Sequence, residues 1–295
     1  MLCKEIPLQQ GCVLQTYIMD PQTSFHVYKK RPAMIICPGG AYLIHATKEG
    51  EPIALTFLEK GYNCFVLRYT VGTDREHPEA GFNEAARYPL QSLQLMEAIL
   101  TVRRHAEEWY IDADRVFVAG FSAGAHVCAT VGTRWNDPAL LDRLPFAAEP
   151  AQVRPTAMVL GYPMLALNPP AFQQQASELQ RQQTALVNRV VTGTETPTAA
   201  QCDAADLTLR VTTDTVPTFL WHSIDDPVVD CNASMRFIQA MLGCGCNCEF
   251  HLYNHGEHGK GLAGPLSAQS AADTDEALHL WVALAEQFLR KIPCP

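Results

Sequence analysis

The apolar run Val116-Phe117-Val118-Ala119 breaks into Gly120-Phe121-Ser122-Ala123-Gly124 and continues into the small residues Ala125 and Ala129. A buried strand that ends in a Gly-flanked serine and re-forms as a small-residue helix allows few folds. The turn is so tight that side chains beside the serine must be absent or small if its Oγ is to stand exposed. The chain must therefore place this strand in a sheet and the serine at the sheet's edge.

The rest of the chain supplies such a sheet. Phe25 to Tyr28, Ala33 to Cys37, Cys64 to Tyr69, Val116 to Ala119, Ala157 to Leu160, Thr218 to Trp221 and Cys248 to Tyr253 read as strands. Several are continuously apolar, as strands covered on both faces are. Helical patterns run over Pro52 to Lys60 with Gly61 as its stop, Leu90 to Trp109, Ala233 to Leu242 and Asp275 to Arg290. Strand–helix alternation predicts a mostly parallel sheet with helices on both faces. With 295 residues, 47% of them hydrophobic, the chain can bury a large core, and we expect one α/β domain over 1–295.

The segment Pro169 to Arg210, rich in Gln and then Thr, breaks the rhythm. It reads as a mainly helical insertion at about 169–210, with two roles open: a polar connecting excursion, or a partial lid over the serine.

Serine needs a base to take its proton and a carboxylate to orient that base. The strand Thr218 to Trp221 runs into His222-Ser223-Ile224-Asp225-Asp226-Pro227, an acidic loop at the carboxyl edge where open α/β sheets gather their reactive groups. Asp226 is the expected acid; Asp225 is its nearest competitor, and Asp230 reads as a helix-start residue. Among ten histidines, His258 in the Gly-rich loop after Tyr253 is the expected base, with His255 as the competitor. His126 reads as helix packing and His222 as part of a strand end. The order Ser122, Asp226, His258 is the one expected for an elbow on a hydrolase sheet. The oxyanion needs backbone N–H donors. One is expected from Ala123, the other from Gly40 or Ala41 in the loop Cys37-Pro38-Gly39-Gly40-Ala41-Tyr42.

On these residues the chain resembles the α/β-hydrolase superfamily, and more narrowly the acetyl-xylan-esterase-like carbohydrate esterases related to the hormone-sensitive-lipase type. The resemblance is carried by Pro38 to Tyr42, Gly120 to His126, Pro217 to Asp226 and Gly256 to Ala263, in order and spacing over roughly residues 10 to 290. It implies an eight-stranded, mostly parallel sheet with a small insertion rather than a large cap. It also implies serine esterase activity on short acyl esters, acetyl on plant polysaccharide fragments above all, with no metal or organic cofactor. The sequence departs from the group's pattern in having Ala41 for the usual third glycine and Gly124-Ala125 for two glycines after the serine.

The net charge of −9 speaks against nucleic acid or an anionic membrane as partner and identifies no positive one; the small-molecule or oligosaccharide ester expected as partner is what the resemblance implies. Met1 to Gln10 has no apolar export core, and eleven cysteines suit a reducing compartment, so a cytoplasmic location is expected. The run Gly243-Cys244-Gly245-Cys246-Asn247-Cys248 reads as a loop entering a strand, its thiols too closely spaced for a structural zinc site. Two other classes share much of this pattern: a non-catalytic binding protein on the hydrolase fold, and a small peptidase or amidase.

Overall fold

The computed structural model describes residues 1–20, 30–73, 79 and 81–293. The strand expected over Phe25 to Tyr28 lies outside the described residues. Eight strands are found among them: β1 (Glu5–Pro7), β2 (Val13–Tyr17), β3 (Arg31–Cys37), β4 (Asn63–Arg68), β5 (Ile111–Phe121), β6 (Met158–Gly161), β7 (Thr218–Ser223) and β8 (Cys248–Tyr253). They form one sheet in the order β1-β2-β4-β3-β5-β6-β7-β8. β1 and β2 pair antiparallel with their neighbours, and every pairing from β4 across to β8 is parallel.

The helices are α1 (Glu51–Glu59), α2 (Leu90–Arg104), α3 (Ala123–Arg134), α4 (Pro138–Leu141), α5 (Pro150–Val153), α6 (Glu178–Thr192), α7 (Ala199–Ala205), α8 (Cys231–Gly243), α9 (Glu276–His279) and α10 (Trp281–Arg290). Alternation along the buried strands sorts side chains onto two cores. Ile35 and Val118 join the face covered by α2, α3 and α8, through Met96, Val127 and Phe237 among others. Met34, Ile36, Phe117 and Ala119 join the face covered by α1 and α10, through Phe57, Trp281 and Leu289.

The elements differ from the sequence reading in several places, β5 among them, which begins at Ile111 rather than Val116. β1 and β2 were not expected: β2 carries polar Gln15 and Thr16, and only Leu14, Thr16 and Tyr17 of its five residues are buried. The helix from Leu90 stops at Arg104 rather than Trp109. Residues 105–110 instead turn the chain into β5, with Tyr110 at φ 52° and the His105 and Trp109 rings stacked 4.4 Å apart. The last helix is two pieces separated at Leu280, whose φ of −58° and ψ of −20° remain helical, so the break is a local loosening. As expected, Asp230 starts α8, accepting the Asn232 N–H at 3.0 Å.

Because β3, β5, β7 and β8 run parallel, the loops that follow them emerge at one edge of the sheet. These loops begin at Pro38, Ser122, Ile224 and Asn254. α6 and α7 lie in the connection from β6 to β7. Among the described residues no helix is long and apolar enough to cross a membrane.

Candidate active site

Ser122 sits between β5 and α3 at φ 51°, ψ −118°, a conformation that costs a non-glycine residue energy and persists only where its surroundings dictate it. The surroundings here are backbone. The Ser122 N–H donates to Gly161 O at 3.1 Å, and its carbonyl accepts the Met164 N–H at 3.2 Å. A Cβ on Gly120 would lie 2.4 Å from Gly124 O, and one on Gly124 would lie 2.0 Å from Cys37 O and 2.5 Å from Pro38 O. Both glycines are therefore needed for space. Gly124 lets α3 sit directly on the loop after β3, bringing that loop to the serine. Gly124→Ala is expected to cost about 3 kcal/mol or more, since backbone must move to admit the methyl. An unchanged urea midpoint for this variant would contradict that packing.

The Ser122 Oγ is 2.9 Å from His258 Nε2, and His258 Nδ1 is 2.7 Å from Asp226 Oδ2. Asp226 Oδ1 accepts the N–H groups of Val228 and Val229 at 2.8 and 2.9 Å. Oδ2 also meets His222 Nε2 at 3.0 Å, and His222 Nδ1 meets Ser234 Oγ at 2.8 Å. The bond to the carboxylate puts a proton on His222 Nε2. Burial opposes ionisation of Asp226, but the hydrogen bonds from His222 and His258 and the charge of His258 outweigh it. The carboxyl is held well below the usual carboxylate range.

His222, set aside in the sequence as part of a strand end, is thus a buried partner of Asp226. Only the fold reveals this: it sits within β7, and the loop turns the carboxylate back onto it. Asp225 does not meet His258. Its two oxygens accept the Gly256 and Glu257 N–H groups at 3.2 and 3.0 Å, pinning the loop that carries the histidine. His255 lies outside the cluster, bonded to Asn254 and to Asp275 at 2.7 Å each. His126 is buried between Tyr42 Oη, 2.8 Å from Nδ1, and Ala205 O, 3.2 Å from Nε2. Burial lowers its pKa to about 4, so it stays neutral at ordinary pH.

Gly40 has φ 117° and Ala41 φ 59°, so the loop after β3 curls back on itself. The carbonyl of Gly40 accepts N–H groups from Leu43 and Ile44, both at 3.0 Å. A Cβ on Gly39 would lie 2.9 Å from Ser122 Cβ, which measures how closely this backbone approaches the serine. Ala41 and Ser122 line the same cavity, of about 520 Å³. Ala123, the first residue of α3, presents its N–H at a helix N-terminus, where no intrahelical acceptor exists.

The opposite wall of the cavity comes from the connection between β6 and β7 and is rich in amides, including Asn168, Gln173, Gln180, Gln183 and Asn188. Apolar Met164, Val187 and Val228 also line the cavity, and among the described residues no Asp, Glu, Lys or Arg does. Beside it, Cys37 is buried against Cys128, and burial pushes its thiol well above the ordinary value, which keeps it an inert thiol.

The BD-FAE family model matches residues 19–241. Endo-1,4-beta-xylanase B of Butyrivibrio fibrisolvens is 28% identical over 234 residues, 79% of this chain. The chain spans 33% of that protein, and less than half the length of the other curated relatives it matches. Among solved structures, the carboxylesterase Cest-2923 of Lactobacillus plantarum superposes with a TM-score of 0.78 at 26% identity, over 99% of this chain and 98% of that one. An acetyl ester-xyloside bifunctional hydrolase of Caldicellulosiruptor lactoaceticus gives 0.70 at 29% identity, over 97% and 89%. With this sheet order and this match across most of its length, the chain belongs to the BD-FAE family and is an esterase-like α/β-hydrolase.

Proposed function

We propose that the protein is a serine carboxylic-ester hydrolase that removes short acyl groups, acetyl foremost, from a neutral, hydroxyl-rich alcohol such as a xylan-derived oligosaccharide. The observation that carries this reading is the Ser122–His258–Asp226 hydrogen-bond chain, opening onto a cavity walled by amides, with no charged side chain among the described residues that line it. Ser122 Oγ attacks the ester carbonyl as His258 Nε2 takes its proton. Asp226 holds the imidazole through Nδ1–H and stabilises the imidazolium. The N–H groups of Ala123 and of Gly40 or Ala41 receive the charge on the carbonyl oxygen. Collapse expels the alcohol, which takes the proton from His258, and leaves acyl-Ser122. Water, deprotonated by His258, then releases the acid.

The alcohol side of the cavity explains the preference for sugars. Side-chain amides both donate and accept: Asn168 spends its amide on Val228 O and the Asp230 N–H, but Gln183 and the remaining ends of Gln173, Gln180 and Asn188 suit a ring of hydroxyl groups, and an uncharged wall favours a neutral leaving group. The excursion at about 169–210 acts in this reading as the recognition wall over the serine. The relatives named for xylan and for acetyl-xyloside hydrolysis point the same way. The same reading puts the enzyme in the cytoplasm, where its eleven cysteines stay reduced and the substrate is an imported fragment.

The test is hydrolysis of p-nitrophenyl acetate, butyrate and octanoate, followed by acetylated xylo-oligosaccharides and the matching anilides. We expect turnover to fall about tenfold or more from acetate to octanoate, and amide turnover to be far slower. Equal rates across the esters would remove the short-acyl assignment. Binding of acetylated oligosaccharides without release of acetate would favour a binding protein.

A further inference from the structure

A second carboxylate is buried beneath the site. Glu49, in the single turn Thr47–Glu49 ahead of α1, is 2% exposed. Its Oε2 accepts the Gly39 N–H at 2.7 Å and its Oε1 the Tyr162 hydroxyl at 2.6 Å. The same hydroxyl accepts the Gly261 N–H at 2.9 Å. The Tyr162 ring packs edge-on against the His258 imidazole, with centroids 4.9 Å apart. A Cβ on Gly39 would lie 2.6 Å from Glu49 Oε2, so carboxylate and loop meet without slack. One buried group thus grips both the loop that flanks Ser122 and, through one phenol, the loop that carries His258. Burying a carboxylate is costly, and an amide or an apolar side chain could fill this volume.

Resting on the ester-hydrolase reading, we infer that Glu49 and Tyr162 are positioning residues for the reaction. Glu49 fixes the 39–41 backbone against Ser122 and, by way of the Tyr162 hydroxyl, the His258 loop, and its charge supports the imidazolium that forms on His258 during turnover. Burial raises the Glu49 carboxyl above its ordinary value, while Tyr162, the Gly39 N–H and the charges of His258 and Lys48 pull it down. The attraction is mutual, so an ionised Glu49 favours protonated His258. Tyr69, whose hydroxyl donates to Pro38 O at 2.6 Å, also faces Glu49. His258 itself faces Asp226, Ser122 and Tyr162; on its own loop Lys260 pairs with Glu257 at 3.2 Å.

The test compares Glu49→Gln and Tyr162→Phe with the unaltered protein by p-nitrophenyl acetate kinetics from pH 5 to 9, thermal unfolding, and labelling by a fluorophosphonate. Glu49→Gln is expected to lower kcat by ~10²-fold with KM little changed. Its acid limb should move to lower pH, because the charge that favours protonated His258 is gone. Tyr162→Phe keeps that charge, so kcat should fall with the acid limb in place. Near-normal kcat in both variants, or lowered kcat matched by lowered thermal stability and an unmoved acid limb in Glu49→Gln, would overturn the inference. Should Glu49→Gln not fold, normal kcat in Tyr162→Phe would overturn it alone. Loss of ester turnover and of labelling in the unaltered protein would instead overturn the functional reading, whatever the variants do.

Discussion

Ser122→Ala is expected to leave a folded protein whose kcat on p-nitrophenyl acetate is lower by ~10⁴- to 10⁶-fold, the range seen when the nucleophile of such a triad is removed. The fold should survive because nothing structural depends on the hydroxyl. Its hydrogen-bond partner is His258 Nε2, on a part-buried ring that water can reach. The backbone at φ 51° is fixed by the bonds to Gly161 and Met164, and alanine already adopts a positive φ in this chain, at Ala41 (59°) and Ala263 (50°). Thermal unfolding should therefore coincide with that of the unaltered protein while fluorophosphonate labelling disappears. A variant retaining a tenth of the activity would sink the assignment of Ser122 as nucleophile.

Asp226→Asn should be nearly as damaging to turnover, by ~10⁴-fold, and unlike the serine change it should also destabilise the fold. Both carboxylate oxygens are already surrounded by donors. Oδ1 faces two backbone N–H groups, and Oδ2 faces His258 and His222. An asparagine NH₂ turned either way meets donors it cannot bond. Turned to the histidines, it forces at least one to shift its proton to the other nitrogen, and the shift on His258 presents Nε2–H to the serine. The unmet donors should cost about 1–3 kcal/mol. The pH dependence of stability should change as well. Asp226 ionises below its unfolded value, so it contributes stability that is present above about pH 4 and lost as pH falls toward the depressed pKa. The asparagine variant lacks that contribution, and its stability should vary less between about pH 4 and pH 2. Unfolding curves at a series of pH values decide this; equal slopes would contradict the account of Asp226.

The sheet and its reactive edge were readable because their signals are local. A buried parallel strand must be apolar throughout, and a serine turn between strand and helix must be flanked by glycine. β3, β5 and β7 therefore stand out, as do the loops leaving them, while β8, last in the sheet, is only half-buried and keeps Glu249 and His251. β1 and β2 carry weaker signals: β1 is a three-residue edge strand, and β2 beside it is only partly buried and keeps polar Gln15. The residues that escaped sequence reading act through contacts far apart in the chain. Glu49 meets Tyr162 across 113 positions, and Asp225 meets Glu257 across 32. His222 lies only four positions from Asp226, but a strand-end histidine and a loop carboxylate show no sequence sign of facing each other until the loop is folded.

On the proposed reading, attack and recognition are built from different lengths of chain. Ser122, Asp226 and His258 hang from strand ends locked into the sheet, whereas the amide wall belongs to the excursion ahead of β7. Val187, Val190 and Val191 root α6 in the core, while Gln180, Gln183 and Asn188 on the same helix line the cavity. Substitutions at Gln183 can thus accumulate without disturbing either the valine face or the strand ends, whereas Gln180 caps the helix and Asn168 is tied to Val228 O and the Asp230 N–H. On that proposed reading, a lineage carrying this scaffold can exchange one hydroxyl-rich alcohol for another by changing a single helix face, with the acyl chemistry inherited intact.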